Sequence, residues 1–341
     1  MELGDWAPDF VLPSQEGVPT RFIGKAGGTP TVLLFYETNK NEASLEELKR
    51  FATTLAPRPI SLFAINGEAP EANRRVFSEQ ALPILAFSDV DGAVRQGYGI
   101  EPGHKMTVFV LNRNLRVVSA HPVKDEETWA DQVATLLDTL PHDEAVEIHS
   151  QAPVLLIPDV LDSRYCEQLM AVWAEGNEET GVEQTQDGAR ANVIAEESKR
   201  RRDHTVTDPE LLRDLTFEVG RRVLPGVRKA FSFRATRFEG FKIARYDAEV
   251  GGFFRAHRDN LSPATMHRRF ALTLNLNDGY EGGHLRFPEY GQHLYRPKAG
   301  GAVVFSGSLL HEALDVTQGQ RFVLLSFLFG EEDAKKLQGG S

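Results

Sequence analysis

The chain has 341 residues, more than one ordinary hydrophobic core accommodates, which predicts two domains. Its composition, 41% hydrophobic and 26% charged, is typical of a globular protein, and its apolar runs are too short to span a bilayer. A net charge of −11 disfavours a protein that binds nucleic acid by neutralising many phosphates.

The amino terminus and the cysteine content bear on location. Residues 1–5 have neither the basic nor the apolar region of a signal peptide. Cys166 is the single cysteine, so an intramolecular disulfide, a Cys-x-x-Cys redox pair and a thiolate zinc site are all excluded. We therefore expect a cytoplasmic protein that binds neither membranes nor nucleic acid.

The first 141 residues alternate between strand and helix signals. Helices are predicted where leucines share one face after residue 44, where Pro70 opens a first turn, and from Trp129 to Leu140. This alternation indicates an α/β layer domain over residues 1–141. Short apolar runs rich in β-branched or aromatic residues predict its strands: Phe10–Leu12, Thr31–Tyr36, Ser61–Ile65, Thr107–Leu111 and Leu115–Ser119.

A linker is expected near residues 141–152, followed by a second domain over residues 152–332. The domain begins with a strand at Val154–Ile157 and a helix capped near Asp162 or Ser163. The polar segment 177–207 has few periodic apolar positions and is predicted to be a long loop. Asp208 and Pro209 then cap another helix.

From residue 241 onward the pattern changes to short strands broken by glycine and proline. This spacing favours an all-β sandwich or barrel. The predicted strands are Phe241–Tyr246, Ala271–Leu276, His284–Phe287, Ala302–Phe305 and Phe322–Phe329.

Candidate metal ligands lie among these strands. His257 and Asp259 are two residues apart, so in an extended segment both side chains point to one face. His311 follows the strand Ala302–Phe305. Two histidines and one carboxylate form the facial arrangement of non-haem Fe(II) sites, which leaves positions for a bidentate ligand and dioxygen. Arg321 could clamp a distal carboxylate through paired hydrogen bonds.

The stretch Phe241–Gly330 resembles the prolyl 4-hydroxylase-like branch of the Fe(II)/2-oxoglutarate-dependent oxygenases. The resemblance implies a double-stranded β-helix, or jelly roll, in agreement with the strand spacing. The matching segments, in chain order, are Ala244-Arg245-Tyr246-Asp247, His257-Arg258-Asp259-Asn260, Leu276-Asn277, Glu281-Gly282-Gly283-His284-Leu285-Arg286-Phe287-Pro288, Gly300-Gly301-Ala302-Val303-Val304-Phe305, His311-Glu312 and Gly319-Gln320-Arg321.

The resemblance also implies roles for individual residues. His257, Asp259 and His311 would be the catalytic Fe(II) ligands, and Arg321 would bind the distal carboxylate of 2-oxoglutarate. Tyr246 sits where relatives commonly have a tyrosine in the cosubstrate pocket, and Asn275 falls where some carry another tyrosine that helps to hold 2-oxoglutarate. With Asp259 intact, hydroxylation rather than halogenation is implied.

The implied reaction consumes O₂ and 2-oxoglutarate, releases succinate and CO₂, and hydroxylates an aliphatic C–H bond. The substrate would be a protein, a peptide or an amino-acid-like molecule, with ascorbate as a candidate reductant. A homo-oligomer is compatible with the sequence. Two alternatives stay open: a sensor or interaction protein that binds iron and 2-oxoglutarate without turnover, and a redox protein working through the first domain.

The amino-terminal domain resembles peroxiredoxins of the thioredoxin fold. Matching segments are Gly4-Asp5-x-x-Pro8-Asp9-Phe10, Thr31–Tyr36 and Ser88-Asp89-x-Asp91-Gly92. Ser44 stands where that family has its peroxidatic cysteine, and an alcohol cannot supply the thiolate that attacks peroxide. The domain is therefore expected to be redox-inactive and to serve as a scaffold or recognition unit.

Several of these residues also have structural interpretations. Arg321 could form a salt bridge, and Tyr246 could be a packed aromatic residue with a satisfied hydroxyl. The basic run Lys199–Arg202 could be solvated, or it could belong to a mobile lid that attracts an acidic substrate. Cys166 is interpreted as a small packed residue rather than a reactive thiol.

Overall fold

The computed structural model describes residues 1–38, 42–101, 106–123, 129–141, 144–180, 182–186, 189–193 and 197–339. It divides into two compact units, residues 1–145 and 146–341. Among the helices of the described ranges, none combines the length and apolar composition needed to cross a bilayer.

The first unit is a mixed sheet with helices packed against it. Its elements are β1 Val11–Pro13, β2 Pro19–Arg21, β3 Thr31–Tyr36, α1 Glu42–Leu55, β4 Ser61–Asn66, α2 Pro70–Glu79, β5 Leu85–Ser88, α3 Ala93–Gly97, β6 Met106–Leu111, β7 Val117–Pro122 and α4 Trp129–Asp138.

The main sheet of this unit has the order β5-β4-β3-β6-β7. Strands β3, β4 and β5 are parallel, β6 pairs antiparallel with β3, and β7 pairs antiparallel with β6. The central strand β3 is buried along its whole length, because alternate side chains enter separate cores on the two faces of the sheet. This is the thioredoxin-like arrangement expected from the sequence.

The second unit is dominated by antiparallel strands. Its elements are β8 Leu155–Ile157, α5 Ser163–Glu175, β9 Glu178–Glu179, β10 Val182–Gln186, β11 Ala189–Val193, β12 Lys199–Arg200, β13 Arg202–Thr205, α6 Pro209–Phe231, β14 Arg237–Phe238, β15 Lys242–Asp247, β16 Phe253–His257, β17 Phe270–Asn275, β18 Tyr280–Gly282, β19 Leu285–Arg286, β20 Leu294–Tyr295, β21 Ala302–Ser306, β22 His311–Ala313, β23 Val316–Phe329 and α7 Glu331–Gly339.

Apart from β10 and β11, which pair only with each other among the described strands, these strands form the two sheets of a jelly roll. The larger sheet has the order β8-β21-β17-β23-β15-β13-β9, with β14 and β18 also paired to β23. The smaller sheet has the order β12-β16-β22-β19-β20. The C-terminal unit is therefore the double-stranded β-helix that the resemblance implied.

Strand alternation sorts the side chains of the larger sheet between two cores. Ile243 and Leu324 face α5 and α6, where they pack with Leu169 and Val219. The neighbouring positions, including Tyr246, point to the opposite face and pack against residues of the smaller sheet. Arg321 lies directly opposite Tyr246 in the β15–β23 pair, so the same alternation turns it towards the inside of the jelly roll.

The helix boundaries follow the predicted capping residues. The Asp162 carboxylate accepts a hydrogen bond from the Tyr165 backbone at 2.7 Å, and the Asp208 carboxylate accepts one from Leu211 at 2.7 Å. Pro209 then occupies the first turn of α6, where its missing N–H costs nothing.

The prediction of a long loop over residues 177–207 is wrong. The described part of this segment contains β9 to β13, and β13 pairs with both β15 and β9. These strands are short and polar. Backbone pairing and a buried ion pair stabilise them, so their sequences lack the alternation of apolar residues from which strands are predicted. The strands β16 and β22, which contain His257 and His311, were also not predicted from the sequence.

Candidate active site

Two adjacent strands of the smaller sheet bring the predicted ligands together. His257 ends β16 and His311 begins β22, and the two residues are register partners in this antiparallel pair. Asp259 lies just past the end of β16, where its backbone N–H donates to the Gly307 carbonyl at 2.9 Å. The histidines therefore meet across strands, and the carboxylate reaches them from the following loop.

The three side chains form a compact donor set. His257 Nε2 lies 3.6 Å from Asp259 Oδ1, and His311 Nε2 lies 3.4 Å from Asp259 Oδ2. One ligand atom from each residue lies within 4.8 Å of the other two. Ligands at right angles on bonds of about 2.1 Å stand roughly 3 Å apart, so these separations suit one metal ion.

Backbone hydrogen bonds orient both imidazole rings. His257 Nδ1 lies 2.8 Å from the Arg255 carbonyl oxygen, and His311 Nδ1 lies 2.9 Å from that of Leu309. A carbonyl can only accept, so each Nδ1 carries the proton and each Nε2 offers its lone pair to the centre of the cluster.

Burial and charge prepare the cluster for a cation. Burial lowers the pKa of His311, which keeps the ring neutral and able to ligate. Burial alone would raise the pKa of Asp259, but the adjacent His311 and His257 outweigh it and hold that pKa below the usual range. Asp259 Oδ2 is buried and accepts no hydrogen bond from the described residues, as an oxygen reserved for a metal would.

An ion pair beside the ligands ties their two loops together. The Arg258 guanidinium binds the Glu289 carboxylate at 2.7 and 3.1 Å, and it also donates to the Ser308 carbonyl. Glu289 in turn accepts from the backbone of Leu310, next to His311, at 3.0 Å. Arg258 therefore links the segment that carries Asp259 to the start of β22.

Arg321 is a buried cation without a carboxylate partner among residues 197–339. Its exposure is 2%, its Nη2 donates to Asn275 Oδ1 at 3.3 Å, and its Nε has no partner. The salt-bridge interpretation of Arg321 is therefore wrong for the described residues. A buried guanidinium without a carboxylate partner favours the binding of an anion, because burying an uncompensated charge costs free energy.

Tyr246 lies between two guanidinium groups. Its ring centroid is 5.4 Å from Cζ of Arg321 and 5.6 Å from Cζ of Arg201, and its hydroxyl accepts from Arg201 Nη1 at 3.2 Å. Phe254, which also contacts Arg201, stacks on His257 at 3.6 Å. Tyr246 is thus both packed, with its hydroxyl satisfied, and in contact with the predicted cosubstrate arginine.

The basic run Lys199–Arg202 differs from a solvated stretch. The side chains of Lys199 and Arg201 are 6% and 8% exposed. Arg201 pairs with the buried carboxylate of Asp203 through two hydrogen bonds of 2.6 Å. The solvated interpretation is wrong for these two residues, and sequence reasoning missed Arg201 because neighbouring charges gave no sign that one of them is buried.

The remaining candidate groups have simpler surroundings. Cys166 is packed in α5, as predicted, and burial raises its pKa to about 11. His267 Nε2 lies 2.8 Å from a Glu239 carboxylate oxygen. The side chain of Ser44 lies outside the described residues.

Comparison with known families agrees with both halves of this architecture. The model of the 2OG-Fe(II) oxygenase superfamily matches residues 241–329, and that of the AhpC/TSA family matches residues 3–120. A PKHD-type hydroxylase of Parvibaculum lavamentivorans is 30% identical over 195 residues, covering 52% of this chain and 77% of that protein. A PKHD-type hydroxylase of a Polaromonas species is 28% identical over 194 residues, covering 54% and 83%.

The chain belongs to the 2OG-Fe(II) oxygenase superfamily through its C-terminal unit, and its residues 3–120 are similar to the AhpC/TSA family. Among solved structures, the peroxidoxin BcpB from Mycobacterium tuberculosis matches with 22% identity and a TM-score of 0.39, covering 42% of this chain and 99% of that one. Membership of the superfamily implies Fe(II) and 2-oxoglutarate as the metal and cosubstrate of the site.

Proposed function

We propose that this protein is an Fe(II)- and 2-oxoglutarate-dependent dioxygenase of the prolyl 4-hydroxylase-like type. It hydroxylates an aliphatic C–H bond of a protein, peptide or amino-acid-like substrate and releases succinate and CO₂. The observation that carries this proposal is the combination of His257, Asp259 and His311 with a buried Arg321 that lacks a counter-ion. A metal site alone would need no such cation.

Each residue has a separate task in this scheme. His257 and His311 would ligate Fe(II) through Nε2, with both rings held by backbone carbonyls, and Asp259 would supply the third ligand. Arg321 would bind the distal carboxylate of 2-oxoglutarate through charge-assisted hydrogen bonds. When bound, Fe(II) and 2-oxoglutarate supply the reduction of O₂ that oxidises the substrate C–H bond. The apolar residues around Tyr246, among them Val323 and Phe305, keep water from the interior of the jelly roll.

The test is anaerobic addition of Fe(II) and 2-oxoglutarate, followed by O₂ and quantification of succinate in the presence of peptide and amino-acid pools. We expect wild type to bind both and to form succinate, and His257→Ala and Arg321→Ala to form none. Failure of wild type to bind Fe(II) and 2-oxoglutarate would refute the proposal. Binding of both without succinate from any supplied pool would favour the sensor alternative.

A further inference from the structure

We infer that the Tyr280 hydroxyl is a second ligand for the distal carboxylate of 2-oxoglutarate, beside Arg321. Tyr280 would thus take over the task of the tyrosine that some relatives carry at the position of Asn275. The inference rests on the proposed function, since it concerns the cosubstrate of the same site.

Three strands bring these side chains together inside the jelly roll. Asn275 ends β17, Tyr280 begins β18, and Arg321 lies in β23, which pairs with both strands. Their exposures are 0%, 3% and 2%. Asn275 and Tyr280 are close in sequence, whereas Arg321 is brought to them by the sheet.

The hydrogen bonds of Asn275 fix its amide orientation. Its Nδ2 donates to the Tyr280 hydroxyl oxygen at 2.9 Å and to the Pro297 carbonyl oxygen at 2.7 Å. Its Oδ1 accepts from Arg321 Nη2 at 3.3 Å. A carbonyl oxygen and a guanidinium leave no choice about which amide atom is which, because the first only accepts and the second only donates.

The consequence is a tyrosine proton without an acceptor. Since Asn275 donates to the Tyr280 oxygen, the hydroxyl hydrogen of Tyr280 must point elsewhere, and residues 197–339 present no acceptor for it. Arg321 Nε is a second buried donor without an acceptor. Leaving a buried donor unsatisfied costs about 1–3 kcal/mol, so two of them beside each other indicate a missing acceptor group.

The Arg321 and Tyr280 side chains both lie against Gly283, where there is no room for a larger side chain. A Cβ at this position would lie 3.0 Å from Arg321 Cδ and 3.4 Å from Tyr280 Cε2, besides 2.9 Å from Val316 Cγ2. Both side chains therefore flank the same glycine. A carboxylate offers two oxygens with several lone pairs, which can accept from a guanidinium and a phenol at once.

The surrounding charge favours an anion at this point. Cζ of Arg296 lies 4.2 Å from the Tyr280 ring centroid, and Arg296 Nη2 donates to the Tyr280 backbone oxygen at 2.8 Å. Burial, together with the positive charges of Arg296 and Arg321, lowers the pKa of the nearby His284. Arg296 and Arg321 thus place positive charge around Tyr280, which favours the binding of a carboxylate there.

The test compares two keto acids on Tyr280→Phe, a change that removes a single oxygen. Fe(II)-loaded protein is titrated without O₂, with binding followed by calorimetry and by the absorbance of the iron–keto-acid chelate. The ligands are 2-oxoglutarate and 2-oxobutyrate, which has the same chelating end but no distal carboxylate. We expect Tyr280→Phe to lower the affinity for 2-oxoglutarate at least about 10-fold, because a hydrogen bond to a charged group is lost. The affinity for 2-oxobutyrate should be unchanged.

Tyr295→Phe is the matched control. Tyr295 is also buried, at 8% exposure, but its hydroxyl accepts from the Ala152 backbone at 3.2 Å, so its loss should leave both affinities unchanged. Unchanged 2-oxoglutarate affinity in Tyr280→Phe, or equal weakening of both keto acids, would overturn the inference. Failure of wild type to bind 2-oxoglutarate would instead refute the proposed function, so the two failures are distinguishable.

Discussion

His257 and His311 face each other across β16 and β22, with ring centroids 4.3 Å apart. Each ring has its Nδ1 occupied by a backbone carbonyl two residues earlier. Both Nε2 atoms therefore lie on the side of Asp259, at 3.6 and 3.4 Å from its carboxylate oxygens. Two neutral nitrogen donors and one carboxylate around a common centre form a donor set that suits a divalent cation.

Removal of one imidazole ring should greatly weaken metal binding. We expect His311→Ala to bind Co(II), a spectroscopic substitute for Fe(II), more than about 100-fold more weakly than wild type, because two ligands remain. The d–d absorbance on Co(II) titration measures this. His204→Gln is the control, since His204 Nδ1 contacts the Gly176 carbonyl and lies outside the cluster. Full Co(II) affinity in His311→Ala would contradict the assignment.

The ring and the hydroxyl of Tyr246 should contribute differently to cosubstrate binding. Tyr246→Phe keeps the ring between Arg201 and Arg321, so we expect less than about a 10-fold loss of 2-oxoglutarate affinity. Tyr246→Leu also removes both cation–π contacts, each contributing about 0.5–2 kcal/mol, and should weaken binding further. Anaerobic titration of the Fe(II) protein measures both. Wild-type affinity in Tyr246→Leu would show that this residue is only core packing.

Breaking the buried pair between Arg201 and Asp203 should destabilise the C-terminal unit. Asp203 is 1% exposed and also accepts from Thr180 Oγ1 at 2.7 Å. Asp203→Asn leaves the Arg201 charge uncompensated, and we expect a loss of about 3–5 kcal/mol in the free energy of unfolding, measured by urea denaturation. Asp315→Asn breaks the half-exposed pair with Arg255 and should cost less than about 1 kcal/mol. Equal effects of the two substitutions would contradict this account.

The same pair predicts a dependence of stability on pH. Burial would raise the pKa of Asp203, but Arg201 and Lys199 outweigh it and lower the pKa in the folded state. The folded chain then binds fewer protons than the unfolded chain, so the stabilisation is complete above the unfolded value near 4 and is lost as the pH falls below it. The difference in unfolding free energy between wild type and Asp203→Asn should accordingly shrink as the pH falls below about 4. A difference that stays constant with pH would oppose this.

Cys166 should resist alkylation in the folded protein. The residue is 1% exposed and its pKa is raised to about 11, so at pH 8 the thiol is both protonated and inaccessible. We expect iodoacetamide to label none of it in native protein and all of it in urea, as measured by intact-protein mass. Rapid labelling of the native protein would contradict the packed interpretation.

The amino-terminal domain should lack thiol peroxidase activity. Residues 1–165 contain no cysteine, and the sequence resemblance predicts Ser44 at the peroxidatic position. Metal-free protein supplied with peroxide and a dithiol reductant should consume peroxide at the buffer rate. Cys166→Ser should behave identically. A rate that is above the buffer rate and survives this substitution would require a non-thiol chemistry in the first unit.

The sequence predicted the elements whose side chains follow a hydrophobic period. The strand Thr31–Tyr36 was predicted at its observed bounds. Asp162 is one of the two residues predicted to cap α5, and Asp208 caps α6 as predicted. These features depend on local chemistry, namely runs of β-branched residues and carboxylates that accept from exposed backbone N–H groups. The two-domain architecture followed from the change between the alternating and the all-β pattern.

The amino-acid order identifies the candidate donor groups: two histidines and a carboxylate, an arginine after them, and a first domain without a cysteine. How those groups combine depends on the folded chain. Register pairing set His257 against His311, the sheet carried Arg321 to Asn275 and Tyr280, and the fold buried Arg201 within a run of charges. Such contacts join residues far apart in the chain, and the choice of partner strand depends on backbone hydrogen bonds that nearly every residue can form.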